Sequence, residues 1–234
     1  MNPRDRLIVA LDVASTREAL DLVAKLSDDV SFFKVGLQLY TAAGPEVVRA
    51  ITASGANVFL DLKLHDIPTT VAKAVAAAGT LGVKMLTIHL SGGRQMAAAA
   101  VAAKADLLLL LGVTVLTSGT DETLRETGVA STVDDQVVRL TEIGLLAGIS
   151  GFVTSPHETE SLRARAGERA TIVTPGVRPV WAGADDQRRF MTPREAVDRG
   201  ADYLVIGRPI TAHRDPREAV AKIVDELSEA PQVA

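Results

Sequence analysis

Strand-like and helix-like apolar patterns alternate eight times along this chain, and that alternation restricts its fold more than any other feature. The strand-like runs fall at 6–12, 32–37, 57–64, 85–90, 106–116, 151–154, 171–177 and 203–210. Each is followed by a stretch with helix signals. Ser15 and Thr16 offer a cap to a helix reaching about Leu26, and Gly44-Pro45 opens another that Gly55 closes. Pro68, Gly92-Gly93, Pro156, Thr192-Pro193 and Pro216 mark further helix starts, and 134–147 carries a clear helical period. Proline is tolerated in a first helical turn because the N–H it lacks would have no partner there. Repeated strand-then-helix units predict a parallel sheet covered by helices. A doubly wound sheet also alternates, but it needs a glycine fingerprint after its first strand, and none follows Asp12. The expectation is therefore an α/β fold, a (β/α)8 TIM barrel formed as one domain over residues 1–234.

Composition agrees and removes several functions. At 234 residues and 47% hydrophobic, the chain has enough apolar material for one large core. Its net charge is -4, its charges are dispersed and only 3% of its residues are aromatic. Nucleic-acid binding by phosphate neutralisation and base stacking is not expected. The absence of cysteine removes disulfides, thiolate metal sites and cysteine nucleophiles. The N-terminus runs straight into strand-like sequence, without the pattern of a signal peptide. The longest apolar run, 107–116, is too short to span a bilayer. A cytoplasmic enzyme without membrane attachment fits these features.

A barrel places its chemistry at the C-terminal ends of the strands. The polar residues there are Asp12, Lys34, Asp61, Lys63, His89, Thr117, Arg178 and Arg208, which are expected to converge. The third strand is the richest. Side chains alternate along a strand, so Leu60, Leu62 and Leu64 share one face while Phe59, Asp61 and Lys63 share the other. A carboxylate and an ammonium thus sit on a face that should be largely buried, with Asp66 shortly after. Buried charge is costly unless paired or used. The plain alternative is a structural Asp61–Lys63 pair with Asp66 capping the next helix.

Lys34 lies in an otherwise apolar strand. Either it snorkels to the mouth, or it joins Asp61, Lys63 and Asp66 in a Lys–Asp–Lys–Asp array. In the second case Lys63 is a proton donor and Asp61 repels an anionic substrate group. Gly207-Arg208 after the eighth strand and Arg178 after the seventh sit where barrels often bind phosphate, and arginine suits phosphate bidentately. Solvated arginines beside a turn glycine are the alternative. Gln187, in the polar segment 178–190, could add a phosphate donor from a lid. Asp12 and Thr117 are each either caps or ligand-binding groups. His89 reads as a supporting or core residue, since the four histidines lack metal-binding spacing.

The run DLKLHDIP over 61–68 resembles the DxKxxDIP signature of the orotidine 5′-phosphate decarboxylase family. LD at 11–12, FKVG at 33–36, TVLT at 114–117, PGVR at 175–178 and VIGRP at 205–209 match the same family in order. The resemblance implies a homodimeric barrel that converts orotidine 5′-phosphate (OMP) to uridine 5′-phosphate (UMP), the last step of de novo pyrimidine biosynthesis. It implies no metal and no organic cofactor. By the same resemblance, Lys63 donates the proton to C6, and Lys34, Asp61 and Asp66 complete the charge array. Asp66 and Thr70 reach the partner subunit's site. Asp12 and Lys34 hold the ribose, Thr117 the pyrimidine, and Arg178, Gln187, Gly207 and Arg208 the phosphate. A related magnesium-dependent sugar-phosphate decarboxylase or hexulose-phosphate synthase would need an acidic metal ligand where this chain has Lys34.

Overall fold

A computed structural model describes residues 1–182 and 191–228. Eight parallel strands form a closed barrel in chain order: β1 (Leu7–Ala10), β2 (Phe32–Gly36), β3 (Asn57–Leu64), β4 (Met85–His89), β5 (Leu109–Val113), β6 (Gly151–Val153), β7 (Thr171–Pro175) and β8 (Tyr203–Ile206). Pairing of β1 with β8, Val9 opposite Ile206, closes the ring and leaves no sheet edge. The expected (β/α)8 barrel is therefore present.

The helices lie between the strands in sequence: α1 (Thr16–Leu26), α2 (Leu37–Ala43), α3 (Pro45–Ala53), α4 (Pro68–Gly79), α5 (Gly93–Ala103), α6 (Asp121–Glu126), α7 (Val133–Leu146), α8 (Thr159–Ala166), α9 (Pro193–Asp198), α10 (Arg208–Thr211) and α11 (Pro216–Ser228). Local chemistry starts and stops them. Ser15 and Glu18 form a reciprocal capping box on α1, and Thr192 and Glu195 do the same on α9. Pro45, Pro68 and Pro193 occupy first turns. Gly55, at φ 90, turns the chain after α3 in a conformation that a Cβ would strain. None of the described helices is long and apolar enough to cross a membrane.

Two apolar layers follow from the two-residue period of the strands. An inner cluster of Ile8, Ala10, Phe59, Met85, Leu111, Val113, Val153, Val173 and Val205 fills the barrel. The alternate residues, among them Leu7, Val9, Phe33, Val35, Val58, Leu60, Leu86 and Ile88, join the larger cluster that packs against the helices. Phe32 and Tyr203 meet edge to face near the N-terminal end, with ring centroids 5.7 Å apart. Burial of each large side chain stabilises the fold by about 1.5–3 kcal/mol.

Several boundaries differ from the sequence pattern. The eighth strand ends at Ile206 rather than running to residue 210, because Pro209 has no N–H for the ladder and Arg208 starts α10 instead. The apolar run 106–116 contributes only Leu109–Val113 to β5. Leu107 is 82% exposed and Leu116 47%. Apolar content alone does not mark where a ladder starts. The sequence pattern also passes over α2 and α6, short helices whose residues carry no distinct apolar stripe.

Candidate active site

Above the inner apolar layer, the next inward residues of β2, β3 and β4 are polar. Lys34 lies two residues beyond Phe32, Asp61 two beyond Phe59, and Thr87 two beyond Met85. The register sets Lys34 opposite Phe59, and Gly36 opposite Asp61. Of these residues, Lys34, Phe59 and Asp61 border a cavity of about 320 Å³. Its floor is apolar, with Ala10, Phe59, Val113, Val153 and Val205. Its wall carries Asp12, Lys34, Asp61 and Lys63 from β1 to β3, and Arg178, Gly207 and Arg208 from the ends of β7 and β8. Thr117, exposed after β5, lines it as well.

The charges form a chain of contacts. Lys34 Nζ donates to Asp12 Oδ1 at 3.0 Å and lies 3.9 Å from Asp61 Oδ2. Lys63 Nζ donates to both oxygens of Asp61, at 2.8 and 2.9 Å. Thr87 Oγ1 donates to Asp61 Oδ1 at 3.0 Å. The Lys34 and Asp61 side chains are only 11% and 13% exposed, so their mutual contact is little screened, whereas Lys63 at 29% reaches toward the cavity. Two carboxylates and two ammoniums balance within the array. Arg178 and Arg208 then add positive charge to the same cavity, which favours an anionic ligand.

Arg178 is 6% exposed, and its Nη2 donates to Ala182 O at 3.1 Å. Its backbone N–H donates to Met191 O, where Val177 bridges Met191. Arg208 is exposed at the start of α10. Gly207 brings backbone to the wall between them, and a Cβ there would meet Ala10 Cβ at 3.4 Å.

Of the residues singled out in the sequence, Asp12, Lys34, Asp61, Lys63, Thr117, Arg178, Gly207 and Arg208 come together. Asp66 and Thr70 do not line this cavity. Both are exposed at the start of α4, where Asp66 Oδ1 accepts from Ile67 N at 2.6 Å. Gln187 lies outside the described residues. His89 is inward on β4 but does not line the cavity. Its ring sits 5.6 Å from that of His65. Burial, and then the positive charge of His65 and Lys63, lower its pKa from 6.5, with Asp61 opposing them. Among the described residues, no three His, Asp or Glu side chains gather as a metal site would require.

Sequence reasoning missed Thr87. Its signal was present: in MLTIH over 85–89 it lies on the inward face between Met85 and His89, and it is completely buried. A hydroxyl in an apolar strand needs a partner, but the sequence does not say that the partner is Asp61. Also unforeseen is the backbone of Lys63, at φ 50, the single positive-φ residue other than glycine among the described residues.

Known proteins resemble this chain over most of its length. The model of the Orotidine 5′-phosphate decarboxylase / HUMPS family matches residues 5–223. The orotidine 5′-phosphate decarboxylase of Syntrophotalea carbinolica is 49% identical over 235 residues, 97% of this chain and 96% of that protein. That of Opitutus terrae is 52% identical over 224 residues, covering 94% and 97%. The crystal structure of orotidine 5′-phosphate decarboxylase from Lactobacillus acidophilus superposes with a TM-score of 0.84 at 36% identity, over 96% of this chain and all of that one.

Proposed function

The chain belongs to the Orotidine 5′-phosphate decarboxylase / HUMPS family, and from that membership we propose that it decarboxylates OMP to UMP in pyrimidine biosynthesis. The observation that carries the reading is the Lys34–Asp61–Lys63 array at the mouth of the barrel, facing two arginines across one cavity. In the reaction, the bond from C6 to the carboxylate breaks and CO2 leaves. The electron pair stays on C6, a ring carbon with no easy delocalisation. Lys63 supplies the compensating charge as a preorganised ammonium, then gives one Nζ proton to C6 and recovers a proton from solvent. Asp61 holds that ammonium with both oxygens. A substrate carboxylate beside Lys63 is also beside Asp61, so like-charge repulsion is relieved as CO2 departs.

The remaining residues bind. Asp12 and Lys34 accept from and donate to ribose hydroxyls, and Thr117 meets the pyrimidine. Arg178, Gly207 and Arg208, together with Gln187, hold the phosphate. Phosphate contacts lie away from C6, so their binding energy is available to order the reacting end. Asp66 and Thr70 serve the site of a second subunit in a homodimer. Their exposure, with Ile67 between them 63% exposed, supports that reading, as does their absence from their own cavity. The enzyme acts in the cytoplasm.

The magnesium-dependent branch of the superfamily is disfavoured by one residue. Lys34 Nζ, between Asp12 and Asp61, puts a fixed positive charge where a dication would need a carboxylate. The reading is tested with purified protein and OMP in the presence of a chelator, following CO2 release. Turnover that survives the chelator supports it. No turnover of OMP, or turnover only with added magnesium, overturns it.

A further inference from the structure

We propose that Thr87 is the positioning residue that sets the geometry of Asp61 and Lys63, holding the lysine backbone and the aspartate carboxylate together through one hydroxyl. The proposal deepens the decarboxylase reading and rests on it for the role of Lys63.

The strand pairing shows why such a clamp is needed. On β3 and β4, Leu60 pairs with Leu86, but the next pair is Leu64 with Ile88. Four residues on β3 are thus spanned by two on β4, so β3 bulges at 61–63. Regular ladder bonding is lost there, and Lys63 adopts φ 50, a region disfavoured for residues with a Cβ. Strain of this kind persists only where the surroundings over-determine it. The bulge keeps Asp61 and Lys63, two residues apart, close enough for the ammonium to meet both carboxylate oxygens.

Thr87 supplies the missing partner. Its Oγ1 accepts from Lys63 N at 2.8 Å and donates to Asp61 Oδ1 at 3.0 Å. A hydroxyl has one hydrogen. Accepting from the lysine N–H leaves that hydrogen for the carboxylate, so the direction of both bonds is set. The loop closes through Lys63 Nζ on Asp61. Thr87 is completely buried and absent from the cavity wall. It acts through the two charged residues and not on a ligand.

Valine keeps the shape and β-branching of threonine but removes the hydroxyl. In Thr87→Val, kcat for OMP is expected to fall about 10- to 100-fold, the size of a hydrogen bond to a charged group. KM and the UMP dissociation constant stay within about threefold, because ground-state contacts are untouched. Thr87→Ser keeps the hydroxyl and restores kcat to within about threefold. Independently of turnover, the Lys63 amide exchanges its hydrogen faster in Thr87→Val and at the wild-type rate in Thr87→Ser. Thr87→Ala is the second hydroxyl-free variant should the valine protein not fold. Unchanged kcat and unchanged Lys63 exchange in the hydroxyl-free variant overturn the proposal. So does a loss of kcat matched by the serine variant or by an equal loss of UMP binding. A wild-type protein that leaves OMP intact refutes the decarboxylase reading, while Lys63 exchange still decides the clamp.

Discussion

Lys63 Nζ donates to both carboxylate oxygens of Asp61, at 2.8 and 2.9 Å, although the two residues are only two positions apart on one strand. A regular strand separates such side chains by nearly 7 Å along its axis, two rises of about 3.3 Å each. The bulge of β3 and the left-handed backbone of Lys63 close that gap. An ammonium held this way is ordered before any ligand arrives, and the consequences can be measured.

Removing the ammonium is expected to abolish the reaction but not the binding of nucleotide. General acid groups contribute about 10²- to 10⁴-fold, and charge stabilisation adds to that. Lys63→Ala should therefore lose at least about a thousandfold in kcat while binding UMP within several-fold of wild type. Titration calorimetry with UMP and a CO2-release assay measure the two separately. Near-normal turnover would sink the assignment of Lys63.

Gly36 faces the array from β2. A Cβ at this position would come within 2.8 Å of Lys34 Nζ and 3.5 Å of Asp12 Oδ1. The encroached atom is the tip of a flexible side chain, so Gly36→Ala is expected to fold with a melting temperature close to wild type. The displaced ammonium should lower kcat/KM by up to about a hundredfold, the effect of an ångström-scale misplacement. Equal activity in the two proteins would show that the position of Lys34 matters little.

If Asp66 serves the neighbouring site, two inactive variants should rescue each other. Asp66→Asn and Lys63→Ala, mixed under conditions that exchange subunits, form hybrids with one intact site of two, so activity should return to about half of wild type per hybrid dimer and about a quarter in a fully exchanged equimolar mixture. Exchange demonstrated by mass spectrometry without any recovered activity argues for sites built within one chain.

His89 couples stability to pH. Its folded pKa lies below 6.5, mainly through burial. As pH falls through 6.5, the unfolded chain takes up this proton before the folded protein does. Stability therefore declines from that point until the folded imidazole titrates in turn. His89→Gln removes this difference. Urea unfolding near pH 7.5 and pH 5.5, on either side of the ordinary histidine pKa of about 6.5, should show a smaller acid loss in the variant than in wild type. An equal loss in both would mean that His89 is not the source.

Much of this protein is determined locally. Period-2 apolar runs, first-turn prolines and capping residues such as Ser15 with Glu18 act over a few positions. The order and type of the elements can therefore be read from residues alone, as can the inward face shared by Phe59, Asp61 and Lys63. Eight such units leave the barrel as the way to bury both faces of a parallel sheet, and a barrel gathers strand ends, so most of the candidate residues were legible too. What the tertiary structure decided depends on contacts between distant positions or on backbone detail. Thr87 meets Asp61 across 26 residues of sequence. Lys63 takes its left-handed turn because β4 supplies an acceptor there, and no residue near Lys63 announces it. Asp66 belongs to the same motif as Asp61 and Lys63, yet it lies at the head of α4, away from the cavity. Sequence spacing records that three charges are close along the chain. Only the pairing of strands decides which of them share one site.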